Sequence, residues 1–168
     1  MDKKLKLICN LGMGIALYTV LGMMVKIPLI GNIHTDLGYI AFGAYLYIFG
    51  VPAAIVGIVG CLFESLLVSG WVSIGWMFGQ LVIGLICGFM LKIADRYKQK
   101  SIKVLSNVAL VTASVFLGIG FVKTIVECNL YSIPYEIKFA KNTIAAIADV
   151  IPMLLGIYVG KLVNRKRG

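Results

Sequence analysis

Two carboxylates lie where so apolar a chain would not be expected to carry them. Glu64 sits inside "GVPAAIVGIVGCLFESL", and Asp149 has small neighbours at Ala145, Ala146 and Ala148. A charge facing hydrocarbon costs roughly 2.5 to 3.5 kcal/mol on insertion scales, so each should face the bundle interior or a water-filled cavity. There a carboxylate can accept hydrogen bonds from a ligand, carry a proton, or bond a neighbouring helix. Trp76 and Gln80 are spaced i, i+4, which sets an aromatic plate above an amide on one helix face. Lys123 and Glu127 share that spacing and read as a local ion pair, while Lys141 beside Asn142 either snorkels or holds an anionic group. In "IPLIGNIHTDLGY", Thr35 or Asp36 caps the following helix and His34 is a solvated loop residue. That loop, with Asn32, is long and hydrophobic enough to fold over a pocket as a lid.

The elements that must position these groups are membrane helices. Sixty per cent of the 168 residues are hydrophobic, the mean hydropathy is +0.97, and the charges collect in short clusters between apolar runs. The expected fold is an all-α integral membrane protein, a single domain over 1–168. Six spans at about 5–26, 36–50, 52–69, 71–93, 102–126 and 138–161 form its bundle. The second is short and must tilt little or cross a thinned region. The uncharged run from Leu5 to Val25 is too long for a signal-peptide core. Pro28 and Gly31, Gly50-Val51-Pro52, Ser69-Gly70 and Pro134 mark the breaks. At about 1.5 Å per residue, Glu64 and Asp149 both come near the midplane.

Lys3, Lys4, Lys6, Lys92, Arg96, Lys98, Lys100, Lys103, Lys161, Arg165, Lys166 and Arg167 fall on the side holding both termini; Lys26, Lys123, Lys138 and Lys141 fall on the other. This asymmetry places both termini in the cytoplasm, with the polar groups gathered toward the outer half. The net charge of +9 lies at the span ends, so it sets orientation and does not form a nucleic-acid face. The four cysteines, at 9, 61, 87 and 128, have no metal-ligand spacing. There is no GxxxxGK[ST] loop, no HExxH and no GxSxG, and one histidine in all, so neither an ATPase nor a hydrolase is expected. No cofactor or metal is called for.

Small residues complete the pattern. Gly57 and Gly60 share the face of Glu64, and Gly84 and Gly88 continue the Trp76–Gln80 face inward as a packing seam.

With these features in place, the chain resembles the S component, the substrate-capture subunit, of energy-coupling factor (ECF) vitamin transporters. The likeness covers the whole chain in architecture, and locally "GMGIA" at Gly12 to Ala16 and the run "GVPAAIVGIVGCLFESL". The resemblance implies a docking patch at Gly12 and Ala16 for a transmembrane coupling protein, which works with two ATPase subunits. It also implies a pocket from the first loop and the outer parts of helices four to six, holding His34, Trp76, Gln80, Lys123, Tyr131, Asn142 and Asp149. Glu64 stands where that family commonly has an acidic residue.

Two carboxylates beside an indole and an amide suit a flat heteroaromatic ring rich in N–H donors: a queuosine precursor, another purine-like or pyrimidine-like compound, or a pyridine vitamin. Lys123 and Lys141 pull instead toward a carboxylate-bearing substrate such as pantothenate. The alternative function is a self-sufficient secondary transporter with Glu64 or Asp149 as proton carrier, against which stands the absence of an evident internal repeat. A purely structural membrane subunit is the third reading.

Overall fold

In lipid, every peptide group must find its hydrogen bond within its own segment, and nearly all of this chain is accordingly helical. The computed structural model describes residues 2–24, 26–28, 34–94 and 99–167. Helix α1 (Lys3–Met24) leads into an antiparallel hairpin of β1 (Lys26–Pro28) and β2 (His34–Asp36), with Lys26 opposite Asp36 and Pro28 opposite His34. Next come α2 (Gly38–Phe49), a 3-10 turn at Val51–Ala53, α3 (Ala54–Ser69) and α4 (Ile74–Ala94). Helix α5 (Lys100–Val115) passes through a π-helical stretch, Phe116–Lys123, into α6 (Thr124–Tyr131), and α7 (Tyr135–Arg167) ends the fold. Gly31 and Asn32 of the expected lid, and Arg96 and Lys98 of the basic connection, lie outside the described residues.

Among the described residues, five helical stretches are long and apolar enough to cross a membrane: Lys3–Met24, Val51–Ser69, Ile74–Ala94, Ser101–Tyr131 and Tyr135–Arg165. Their outward faces carry the large apolar side chains, with Leu105 70%, Ile147 65% and Phe89 61% exposed, as suits a surface solvated by lipid. Helix α2 has 12 residues, about 18 Å of rise. It is wrapped by its neighbours, with Tyr39, Phe42 and Leu46 in the core.

Glycines set how closely the helices approach. An added Cβ at Gly156 on α7 would run into the Ile40 carbonyl of α2, and one at Gly160 would lie 2.7 Å from the Ala44 oxygen. Gly84 and Gly88 of α4 press on Ala54 and on the Val51 backbone, so the expected seam is present. Gly57 and Gly60 instead receive the rings of Phe42 and Tyr18. Gly70 closes α3 in the left-handed conformation at φ 72°, which a residue without Cβ adopts at no steric cost.

Three expectations need correction. The first loop is not irregular throughout: backbone pairing turns its two ends into a hairpin. Helix α4 begins at Ile74, not near 71, because the chain bends at Gly70 and Trp71 and is not helical again until after Ser73, which leaves Trp71 outside the helix. The fifth span does not stop near 126. It runs to Tyr131 through the π stretch, and the next helix starts at Tyr135, immediately after Pro134.

Gly156→Ala should cost about 1 to 3 kcal/mol, the usual range for overpacking a tight contact. It would be read as a lower midpoint of thermal unfolding in detergent, and an unchanged midpoint would show that α2 and α7 can part without cost.

Candidate functional site

The last turns of α1, α3 and α6 and the first turns of α4 and α7 converge on the end of the bundle opposite the chain termini. Between them, under β2, lies a cavity of about 490 Å³. His34, Glu64, Trp76, Lys123, Tyr131 and Asn142 of the expected site all line it. Gln80 and Asp149 do not. They lie beneath, both 0% exposed, among the residues that hold the floor.

That floor is a hydrogen-bonded chain through four helices and the hairpin. Gln80 Nε2 donates to the Tyr18 hydroxyl at 3.1 Å and to the Tyr39 hydroxyl at 2.7 Å. Tyr18 in turn donates to Asp36 Oδ2 at 2.8 Å. Asp36 Oδ1 accepts the Gly38 N–H at 2.7 Å across one residue, and its own backbone N–H donates to Asp149 Oδ1 at 3.0 Å; the N-cap position of α2 is held by Leu37, not by Thr35 or Asp36 as expected. Asp149 thus bonds a neighbouring element, the structural option among those its sequence left open. Thr35 is buried, and α2 begins without a side-chain cap bond.

Glu64 and Asp36 approach the same point on α1. A Cβ added to Gly22 would lie 2.9 Å from Glu64 Oε2 and 3.0 Å from Asp36 Oδ1. The glycine is what leaves room for the two carboxyls. Asp36 belongs to the hairpin and not to a spanning helix. Burial first, and then the neighbouring Glu64 carboxyl, push it up from 3.8 to about 7, while the Tyr18 and Gly38 donors pull the other way.

The opposite wall is basic. Lys123 Nζ donates to Asn142 Oδ1 at 2.6 Å, lies 3.7 Å from Glu127 Oε1, and sits 3.8 Å from the centre of the Trp76 ring. The expected Lys123–Glu127 pair is therefore present, but it belongs to a larger knot. Lys138 reaches Glu127 Oε2 at 3.1 Å, and Asn142 Nδ2 donates to that same oxygen at 3.2 Å and to Thr124 Oγ1 at 3.0 Å. Lys123 occupies one face of Trp76, which lines the cavity and packs against the core. Lys141 is exposed and lines the cavity, and His34 is exposed on β2. Trp71, 61% exposed, leans on Tyr131 at the rim with ring centres 6.3 Å apart. Among the described residues, no group of three or more His, Cys, Asp or Glu is placed to hold a metal ion.

Sequence reasoning missed Tyr18, Glu127 and Lys138 as site residues, and it treated Asp36 as a cap alone. Nothing distinguishes Tyr18 within its apolar run. Glu127 was visible only as a partner for Lys123.

Gly12 and Ala16 are exposed on the far side of α1 from Gly14, Tyr18 and Gly22, and nothing lies within 4 Å of a Cβ built at Gly12.

Two predictions follow from this geometry. A group held above its unfolded value stabilises only while protonated, so the Asp36 contribution is complete below about pH 4 and is lost as pH rises through about 7. The unfolding midpoint should fall between those limits, and Asp36→Asn should flatten the fall; a slope unchanged in the variant would exclude Asp36 as its source. Lys123→Met strips Asn142 Oδ1 of its donor at a cost of about 1 to 3 kcal/mol. In a Trp71→Phe background it should also shift the emission of Trp76, whereas an unmoved spectrum would rule out the ring contact.

Comparison with known proteins places the chain among transport subunits. A family model described as ECF-type riboflavin transporter, S component, matches residues 2–165. UPF0397 proteins from two Streptococcus thermophilus strains, ATCC BAA-491 / LMD-9 and CNRZ 1066, are each 24% identical over 159 residues, covering 92% of this chain and 87% of theirs. The fold is similar to the crystal structure of an S-component for biotin from an ECF-type ABC transporter. The TM-score is 0.63 at 19% identity, over 100% of this chain and 96% of that one.

Proposed function

We propose that this chain, which belongs to the family of ECF-type riboflavin transporter S components, is the high-affinity capture subunit of an ATP-driven importer for a vitamin-like or nucleobase-like micronutrient. It is a multi-pass membrane protein, and its family is one of transporter subunits and not of enzymes. The observation that carries the reading is a cavity of about 490 Å³, lined by a few polar groups among apolar ones, at one end of a bundle whose outer faces are apolar. A cavity of that size suits a single small molecule with a few fixed polar contacts. Glu64, Trp76, Lys123, Asn142, Tyr131 and His34 supply those contacts in this proposal. Gln80 and Asp149 serve as the support that holds Tyr18 and Asp36 in place. A flat heteroaromatic ring, as in a queuosine precursor or a pyrimidine or pyridine vitamin, would lie against Trp76.

Transport would need partners: a transmembrane coupling protein and two ATPase subunits. The exposed small residues Gly12 and Ala16 support docking of α1 to such a protein, because close helix approach in lipid is driven by packing.

Cargo should raise the unfolding midpoint of the isolated protein, while proteoliposomes holding this chain alone should accumulate none of it. Uptake by the chain alone on a proton or sodium gradient would transfer the role to a secondary transporter. Gly12→Leu or Ala16→Leu should leave cargo binding within about twofold and abolish uptake by the reconstituted complex. Weakened binding with intact uptake would reverse the assignment of that face.

A further inference from the structure

Where β2 crosses α3, two acids are bonded to each other. Glu64 Oε2 and Asp36 Oδ1 lie 2.9 and 3.0 Å from the point a Cβ would take on Gly22, and the two side chains share a hydrogen bond. An ionised carboxylate only accepts, so a bond between two carboxyls must hold a proton. Asp36 is already an acceptor twice over, from the Tyr18 hydroxyl at Oδ2 and the Gly38 N–H at Oδ1. Tyr39 on α2, Cys61 on α3 and Asp149 on α7 also surround the pair, and none of these three brings a positive charge. His34, two residues away on β2, is exposed. Lys123 reaches Cys61 and Asp149 electrostatically from the π stretch, but its ammonium is bonded to Asn142 and paired with Glu127. The proton is therefore what keeps the two acids from repelling across this joint, and it belongs to the pair.

We infer that this shared proton latches β2 over the cavity, with Glu64 as the residue that positions the strand, and that losing the proton to water loosens β2 and admits solvent to Trp76. The strand is the part that can give. Helices α1 and α3 are pressed together where Gly60 receives the Tyr18 ring, so they cannot part without loss of packing. β2 has only His34, Thr35 and Asp36, and all three line the cavity. Two carboxylates held this close in poorly solvated surroundings repel. The strand carrying one of them then moves toward the mouth, where water can take over the backbone N–H that Asp149 now accepts. Burial and the neighbouring Glu64 raise Asp36 to about 7, so the latch is closed in mildly acidic solution and released in alkaline solution. This is a property of the protein without cargo and goes beyond the capture role; for a captured molecule it implies tighter retention at acid pH.

The test uses the purified full-length chain without cargo, in a Trp71→Phe background that leaves Trp76 as the one tryptophan. Acrylamide quenching of Trp76, divided by the fluorescence lifetime at each pH, reports how readily a small solute enters the cavity. The quenching rate constant should rise severalfold between about pH 5 and about pH 9, with its midpoint at about 7. Glu64→Gln sets a permanent N–H donor against Asp36 and should hold the constant at its acid value throughout. Asp36→Asn, whose amide can donate to an ionised Glu64, should do the same, and it serves where the first variant does not melt as a folded protein. A parent constant that does not change with pH overturns the latch. So does a rise that persists in whichever variant folds, because it would come from another group, such as Lys123 beside the ring. Either failure leaves the capture role standing, since no cargo takes part.

Discussion

The hydrogen bond from the Asp36 backbone to the Asp149 carboxylate, at 3.0 Å, is the joint on which the site depends. An unmet backbone N–H away from water costs several kcal/mol, so β2 cannot leave α7 without another donor or acceptor taking its place. The side chain of the same residue accepts the first amide of α2, from Gly38, and takes the Tyr18 hydroxyl, and Tyr18 passes the connection to Gln80 on α4. One residue of the hairpin thereby fixes α1, α2 and α7 relative to one another. The cavity floor and the polar heart of the bundle are the same structure. The mouth is different: Lys141, Trp71 and Tyr131 are exposed there and tied by ring contacts and long side chains. The chain is most constrained at the bottom of the site and least at its entrance, which suits a site that admits a molecule from one side.

Much of the bundle was legible because the membrane leaves few options. An apolar run must become a helix, so the approximate spans and the breaks at Gly50, Gly70 and Pro134 could be read from composition and turn chemistry. The second helix, short in sequence, is short in space, at 12 residues. The hairpin was not legible, because three-residue strands carry no periodicity and arise from tertiary placement of their ends. The site was half legible for a similar reason. Depth along a helix identified Glu64, Asp149 and Trp76 as unusual, but depth does not say which way a side chain turns. Glu64 faces the cavity while Gln80 and Asp149 support its floor, a distinction set by Gly22 and Tyr18 on a different helix.

The π stretch answers a problem that an ordinary helix poses. Val111, Val115, Ile119, Lys123 and Glu127 recur every four residues, and all five are buried. In an α-helix four residues overshoot a full turn by about 40°, so four such steps would carry the stripe nearly halfway round the cylinder. Lys123 and Glu127 would then turn away from the face that packs Val111 and Val115. A π turn takes more than four residues, so within Phe116–Lys123 each four-residue step falls short of a turn and gives the drift back. The close approach of Gly79 to the Gly118 carbonyl, 3.0 Å from an added Cβ, fixes this segment against α4 at the level where the correction is made. The stripe consequently stays on one face, apolar where it meets the core and charged where it reaches the cavity. A helix that began by packing against its neighbours ends by presenting Lys123 to Trp76 and Asn142. π bulges concentrate at functional sites because they re-aim side chains without breaking the helix, and here the re-aimed groups are the basic wall itself.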